Sequence, residues 1–126
     1  MSQIPYYKKR DRGGEDAFVI SEELLTVADG VGGWNRKGVD PGIFARELSL
    51  RVWKNYLLRR EQVKRGVVAI GLRDMLIQSV KETKAIGTCT YVMAWIDPKE
   101  SLIETLNLGD SGILLIRPPS REANTN

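Results

Sequence analysis

Two short apolar runs near the start of the chain, Ala17-Phe18-Val19-Ile20 and Leu24-Leu25-Thr26-Val27-Ala28, are separated by three polar residues, Ser21-Glu22-Glu23. Runs this short, joined by so brief a loop, predict an antiparallel hairpin. The hairpin brings together the residues that flank it, Glu15-Asp16 before the first strand and Asp29-Gly30 after the second. With a three-residue loop, Ile20 faces Leu24, Asp16 faces Ala28 and Glu15 faces Asp29. Facing residues in such a ladder have Cα atoms about 4.5–5.5 Å apart. A slip of one residue changes the partners, but in either register the acids converge at the open end of the hairpin.

What such a cluster can do is narrowed by what the chain lacks. Its 126 residues contain no histidine and one cysteine, Cys89. Ser-His and Cys-His nucleophile pairs and histidine-containing zinc sites are therefore excluded. Chemistry must run on carboxylates, hydroxyls, Lys or Arg, or a hard metal ion. With only oxygen ligands in the cluster, that ion would be Mg²⁺ or Mn²⁺ rather than Zn²⁺. By composition and spacing alone, Glu15, Asp16 and Asp29 read equally as metal ligands or as acids capping turns at strand ends.

The chain has the length of one domain with a real core. No run approaches the roughly 18 apolar residues of a membrane span. The first twelve residues carry Lys8, Lys9, Arg10 and Arg12 without an apolar core, so they read as a polar arm rather than a secretory signal. A single cysteine excludes an intrachain disulfide and suggests a reducing, intracellular compartment, without deciding between cytoplasm and mitochondrion. Residues 13–117 form the expected domain part and 118–126 a polar tail.

Along that domain, Gly30-Val31-Gly32-Gly33 predicts an irregular turn and residues 34–39 a loop. Asp40-Pro41 predicts a helix start, with aspartate as N-cap and proline in the first turn. Phe44, Leu48, Val52 and Tyr56 recur every four residues, giving an amphipathic helix of about five turns that is broken at 62–66. Val68, Leu72, Leu76 and Val80 predict a second helix, weakened by Gly71 and ending near Lys84. Thr88 to Ile96 is apolar on both faces, as expected of a central strand covered on two sides. Pairing Ile96 with Leu102 brings Gly109-Asp110 level with Thr88, and Ile113–Ile116 reads as a further strand. The order ββ–αα–βββ implies an α+β architecture with a helical pair on antiparallel sheet.

Several local motifs lead nowhere. Gly109-Asp110-Ser111-Gly112 has the look of a serine-nucleophile loop, but no histidine exists to activate the hydroxyl. The glycines after Asp29 miss the dinucleotide pattern, whose third glycine would fall on Asn35. Cys89 lacks the arginine six residues on that a cysteine-phosphatase loop needs, that residue being Trp95, so it reads as a core thiol. Between Arg36 and Arg65 nine Lys/Arg stand against three Asp/Glu. That excess reads as a solvated helix face rather than a nucleic-acid surface, because Trp53 and Tyr56 fall on the buried stripe instead of forming a stacking platform.

Four segments in order carry a family resemblance: Gly14-Glu15-Asp16-Ala17, then Val27-Ala28-Asp29-Gly30-Val31-Gly32-Gly33-Trp34, then Gly38-Val39-Asp40-Pro41, and Asn107-Leu108-Gly109-Asp110-Ser111-Gly112. Together they resemble the N-terminal half of the metal-dependent serine/threonine protein phosphatases of the 2C type (the PPM family). The similarity is to the branch that writes Ala-Asp-Gly-Val-Gly-Gly-Trp, many of whose members are organellar. The resemblance implies an antiparallel β-sandwich flanked by helix pairs, incomplete in this chain. It implies Glu15, Asp29, the Gly30 carbonyl and Asp110 as metal ligands, with Asp29 bridging two Mn²⁺ or Mg²⁺ ions and Asp110 serving a third, weaker site. Asp16 matches the acid that hydrogen-bonds the attacking water. The implied reaction is direct hydrolysis of phosphoserine or phosphothreonine in a phosphoprotein, with two ions about 3.5–4 Å apart activating the water.

The chain departs from the pattern in three places. Val31 stands where many members carry a histidine after Asp-Gly. Asp11 stands where others carry the phosphate-binding arginine, which leaves Arg10 and Arg12 as the candidate phosphate anchors. The family's later metal aspartates are missing, since after Asp110 the only acid is Glu122. The alternative expectation is therefore a truncated, non-catalytic phosphatase-like binding module. An incomplete sandwich would also expose sheet surface, through which copies could associate.

Overall fold

The computed structural model describes residues 13–120. Strand β1 (Asp16–Ile20) and β2 (Leu24–Gly30) form the hairpin, and a 3-10 helix (Gly32–Lys37) follows. Helices α1 (Pro41–Lys64) and α2 (Leu72–Glu82) come next, then strands β3 (Cys89–Asp97) and β4 (Leu102–Leu108). The four strands make one antiparallel sheet in the order β1-β2-β3-β4. The two helices lie on one of its faces.

The hairpin forms as its sequence dictates, but its register is one residue away from the expected one. Ile20 pairs with Leu25, Ala17 with Ala28, and Asp16 with Asp29. The reason lies in the turn. Ser21 N–H bonds the Leu24 carbonyl at 2.9 Å and the Leu24 N–H bonds Ser21 Oγ at 2.9 Å. Ser21 and Leu24 thus close the turn across Glu22-Glu23, and the first ladder pair beyond them is Ile20–Leu25. The β3–β4 hairpin is displaced in the same way, with Asp97 opposite Leu102 and Ile96 opposite Ile103. There Asp97 Oδ1 accepts from Lys99 N–H at 2.9 Å and Glu100 N–H at 3.2 Å, an Asx-type turn that keeps Asp97 at the strand end.

Helix α1 starts where expected: Asp40 Oδ1 accepts from the Gly42 N–H at 2.9 Å, with Pro41 in the first turn. It runs for 24 residues, longer than the expected five turns and into the expected break at 62–66, with its last turns largely exposed. Ala45, Leu48, Val52 and Tyr56 on α1 and Leu72, Met75 and Leu76 on α2 are buried. They meet Ala17, Leu24, Ala28, Tyr91 and Met93 of the sheet in a single core. Gly71 caps α2 instead of weakening its interior, and Val68 lies outside the helix with 95% of its surface exposed. Between the helices, Asn55 Nδ2 donates to Ser79 Oγ at 2.9 Å, a buried polar tie that satisfies both groups. Residues 32–37, expected as turn and loop, are ordered as the 3-10 helix, tied to the sheet by Trp34 Nε1 donating to Thr88 Oγ1 at 2.9 Å.

Among the described residues, no helix covers the far face of the sheet. On β2 burial alternates strictly, Leu24, Thr26 and Ala28 being buried and Leu25, Val27 and Asp29 exposed. On β3 the expectation of two covered faces holds only in part: Tyr91 and Met93 are buried on the helix side, Val92 is buried on the other, and Ile96 is exposed. Ile113–Ile116 is not a strand in this structure, and Leu114 is 83% exposed. The described residues therefore contain one sheet of the expected sandwich with its helical pair.

Candidate metal centre

The acidic end of the hairpin is assembled by backbone contacts that leave little choice of side chain. The Gly30 N–H bonds the Glu15 carbonyl at 3.0 Å, and the Val31 N–H bonds the Thr88 carbonyl at 3.0 Å. A Cβ on Gly30 would lie 2.6 Å from the Glu15 carbonyl oxygen and 2.9 Å from that of Pro41. Only glycine allows β1, β2 and the start of α1 to meet there. Arg46 on α1 completes the framework, donating from Nη1 to the Gly14 carbonyl at 3.2 Å while Nη2 lies 3.8 Å from Asp40.

The one-residue shift in register decides which acids sit together. Asp16 and Asp29 are cross-strand partners, and both are exposed. Glu15, expected opposite Asp29, is instead turned inward and only 7% exposed. Its Oε1 accepts from Asn35 Nδ2 at 2.6 Å, and that amide also donates to the Gly32 carbonyl at 2.8 Å. The sequence motifs do not single out Asn35 as a site residue, although an asparagine in a glycine-rich turn is a frequent side-chain hydrogen-bonder.

Asp110 follows β4 at the same end of the sheet. Asp29 pairs with Thr90, and Tyr91 pairs with Leu108, so Gly109 continues the row next to Thr90. Two strand spacings separate that point from Asp29, about 10 Å. Gly109 has φ +103°, and a Cβ there would lie 2.8 Å from Thr90 Cγ2. The bend is held by Thr90 Oγ1 and Ser111 Oγ at 2.7 Å and by Asn107 Nδ2 donating to the Ser111 carbonyl at 2.6 Å. Ser111 is thus a structural hydroxyl. Cys89 pairs with Gly30, and its thiol is pushed up to about 11 by burial and then by the charge of Asp29. It stays protonated at neutral pH and acts as a packing group.

Among the described residues no three Cys, Asp or Glu side chains are grouped closely enough to ligate one ion. The donor set still fits a hard ion, because Mg²⁺ characteristically takes one or two carboxylates and completes its shell with water and phosphate oxygens. Asp29 and Glu15, whose carbonyl accepts from the Gly30 N–H, supply two such carboxylates at this end of the sheet, while Asp16 faces Asp29 across the strands. Arg10 and Arg12, the candidate phosphate anchors, lie outside the described residues. No helix among the described residues is long and apolar enough to cross a membrane.

Fold and site together define an α+β half-sandwich with a carboxylate pair at one end of the sheet. Its relatives are protein phosphatases of the 2C type. The chain is 38% identical over 119 residues to the protein phosphatase PTC7 homolog fig of Drosophila willistoni, a match covering 87% of this chain and 36% of that protein. It is 32% identical over 117 residues to the probable protein phosphatase 2C 1 of Oryza sativa subsp. japonica, covering 90% of this chain and 33% of the relative. In fold it is similar to the X-ray structure of the photosystem II phosphatase PBCP, with a TM-score of 0.71 and 31% identity over 85% of this chain and 40% of that one. No family model matches the chain. The chain spans about a third of the length of the curated relatives it matches.

Proposed function

We propose that this chain is the N-terminal part of a metal-dependent serine/threonine protein phosphatase, acting on phosphoserine or phosphothreonine in a phosphoprotein. The observation that carries the reading is the cross-strand pairing of Asp16 with Asp29, in a chain whose relatives are protein phosphatases. Asp29, the Gly30 carbonyl and Glu15 would hold Mn²⁺ or Mg²⁺, with Asp110 at a separate and weaker position. Such ions, when bound, supply water of lowered pKa and neutralise phosphoryl oxygens. Asp16, exposed beside Asp29, would accept a hydrogen bond from the attacking water and aim it at phosphorus. The bond from phosphorus to the Ser or Thr oxygen breaks, and that oxygen takes its proton from solvent, since Val31 offers none. Arg10 and Arg12 would anchor the phosphate.

The test is release of inorganic phosphate from a phosphothreonine peptide in the presence of Mn²⁺. Release should stop on chelation and in Asp29→Asn, whose exposed position lets the variant keep its fold. A full-length protein that releases no phosphate under these conditions would end the reading.

A second reading is a phosphatase-like module that binds a phosphoprotein without turning it over. It is favoured by the sparse ligand set among the described residues. Under it, calorimetry finds weak Mn²⁺ binding at a single position; two tight sites would remove it.

A further inference from the structure

On the reading of this end of the sheet as a metal centre, we infer that Asn35 is a positioning residue for Glu15, setting the carboxylate before an ion arrives. The Glu15 side chain is nearly withdrawn from solvent, at 7% exposure, and a buried carboxylate is costly unless hydrogen bonds replace its water. Asn35 Nδ2 supplies one at 2.6 Å to Oε1. Its other hydrogen goes to the Gly32 carbonyl at 2.8 Å, so both donors of the amide are spent on acceptors and the amide has one sensible orientation.

The support beneath Asn35 is rigid. The 3-10 helix that carries it is fixed by Trp34 N–H to the Val31 carbonyl at 3.3 Å, Gly38 N–H to the Asn35 carbonyl at 3.1 Å, and the Trp34 indole to Thr88 at 2.9 Å. Gly32 leaves room for the carboxylate, since a Cβ there would lie 3.2 Å from Glu15 Oε2. The arrangement fixes one oxygen of Glu15 against a donor and so limits the rotamers the side chain can adopt. Partners that orient metal-binding carboxylates in this way are worth roughly ten- to a hundredfold in metal affinity.

The experiment titrates the full chain with Mn²⁺ alone, following binding by calorimetry or by the paramagnetic resonance signal of free Mn²⁺. Asn35→Ala should weaken Mn²⁺ binding roughly tenfold or more. Asn35→Leu, close in volume but without donors, should lose the same amount, which covers the case in which the alanine variant fails to fold. In a Glu15→Gln background, removing Asn35 should change Mn²⁺ affinity no further, because the two residues act as one unit. Equal affinity of the wild type and the Asn35 variants would overturn the inference. So would an equal loss in both backgrounds, which would make Asn35 merely a brace for Gly32. A wild-type chain that binds no Mn²⁺ at all overturns the metal-centre reading and the inference with it, and is told apart because it needs no variant.

Discussion

Gly30 is the residue on which the candidate centre closes, through steric exclusion rather than an unusual backbone angle. A methyl group there would meet two backbone carbonyl oxygens, neither of which can swing aside as a side chain would. Gly30→Ala should therefore destabilise the protein by about 1–3 kcal/mol, the usual cost of overpacking, and urea unfolding will read it. The buried phenols make a second residue-scale prediction. Tyr56 is pushed up to about 12 by burial and by its 2.8 Å hydrogen bond to Glu23, and Tyr91 to about 12, mainly by burial. Between pH ~10 and ~12 the unfolded chain loses phenol protons that the folded chain keeps, so stability falls as the pH rises through that window. An absorbance titration at 295 nm should show both phenols ionising above the ordinary range when folded, and near pH 10 in concentrated urea.

At the scale of elements, the hairpins show how much a turn decides. The strand runs and their approximate ends were legible in the sequence because short apolar runs bounded by polar turn residues mark β1 and β2 and apolar residues fill β3. The register was not, because it depends on Ser21 and Asp97 bonding backbone groups within their own turns. Side chains alternate across a sheet, so a slip of one residue exchanges the faces. That is why Asp16 stands opposite Asp29 while Glu15 turns inward to Asn35. Ser21→Ala removes the side-chain bonds to the Leu24 N–H and carbonyl. It should cost about 1 kcal/mol in thermal or urea unfolding, the net worth of a typical hydrogen bond.

Taken as a whole, the molecule is built for one covered face and presents another that is apolar. Ile20, Leu25, Val27, Ile96 and Ile103 all lie exposed on the side of the sheet away from the helices. An apolar cavity of about 560 Å³ lies on that face, between the strands and the Gly112–Ile113 segment. Surface of that kind drives association. The weight-average mass of the 126-residue chain should rise with concentration in sedimentation equilibrium. Val27→Lys, which places a charge on that face at a position already 53% exposed, should lower the association without disturbing the core. A mass independent of concentration in the unaltered chain would contradict this expectation.

The sequence by itself determined the local pieces: a hairpin with acids at its open end, a helix capped by Asp40 and Pro41, a long apolar strand, and the order of motifs shared with 2C-type phosphatases. These follow from periodicity, capping and residue chemistry, which act over a few neighbours. Tertiary structure alone decided which acids meet, that Glu15 is held by Asn35 twenty residues away, and that Ile113–Ile116 joins no sheet. Those outcomes depend on turn hydrogen bonds and on what packs against each face, and no window of sequence contains the partners. The acidic hairpin was visible from the outset; the division of its acids into an exposed pair and a buried, oriented glutamate belongs to the fold.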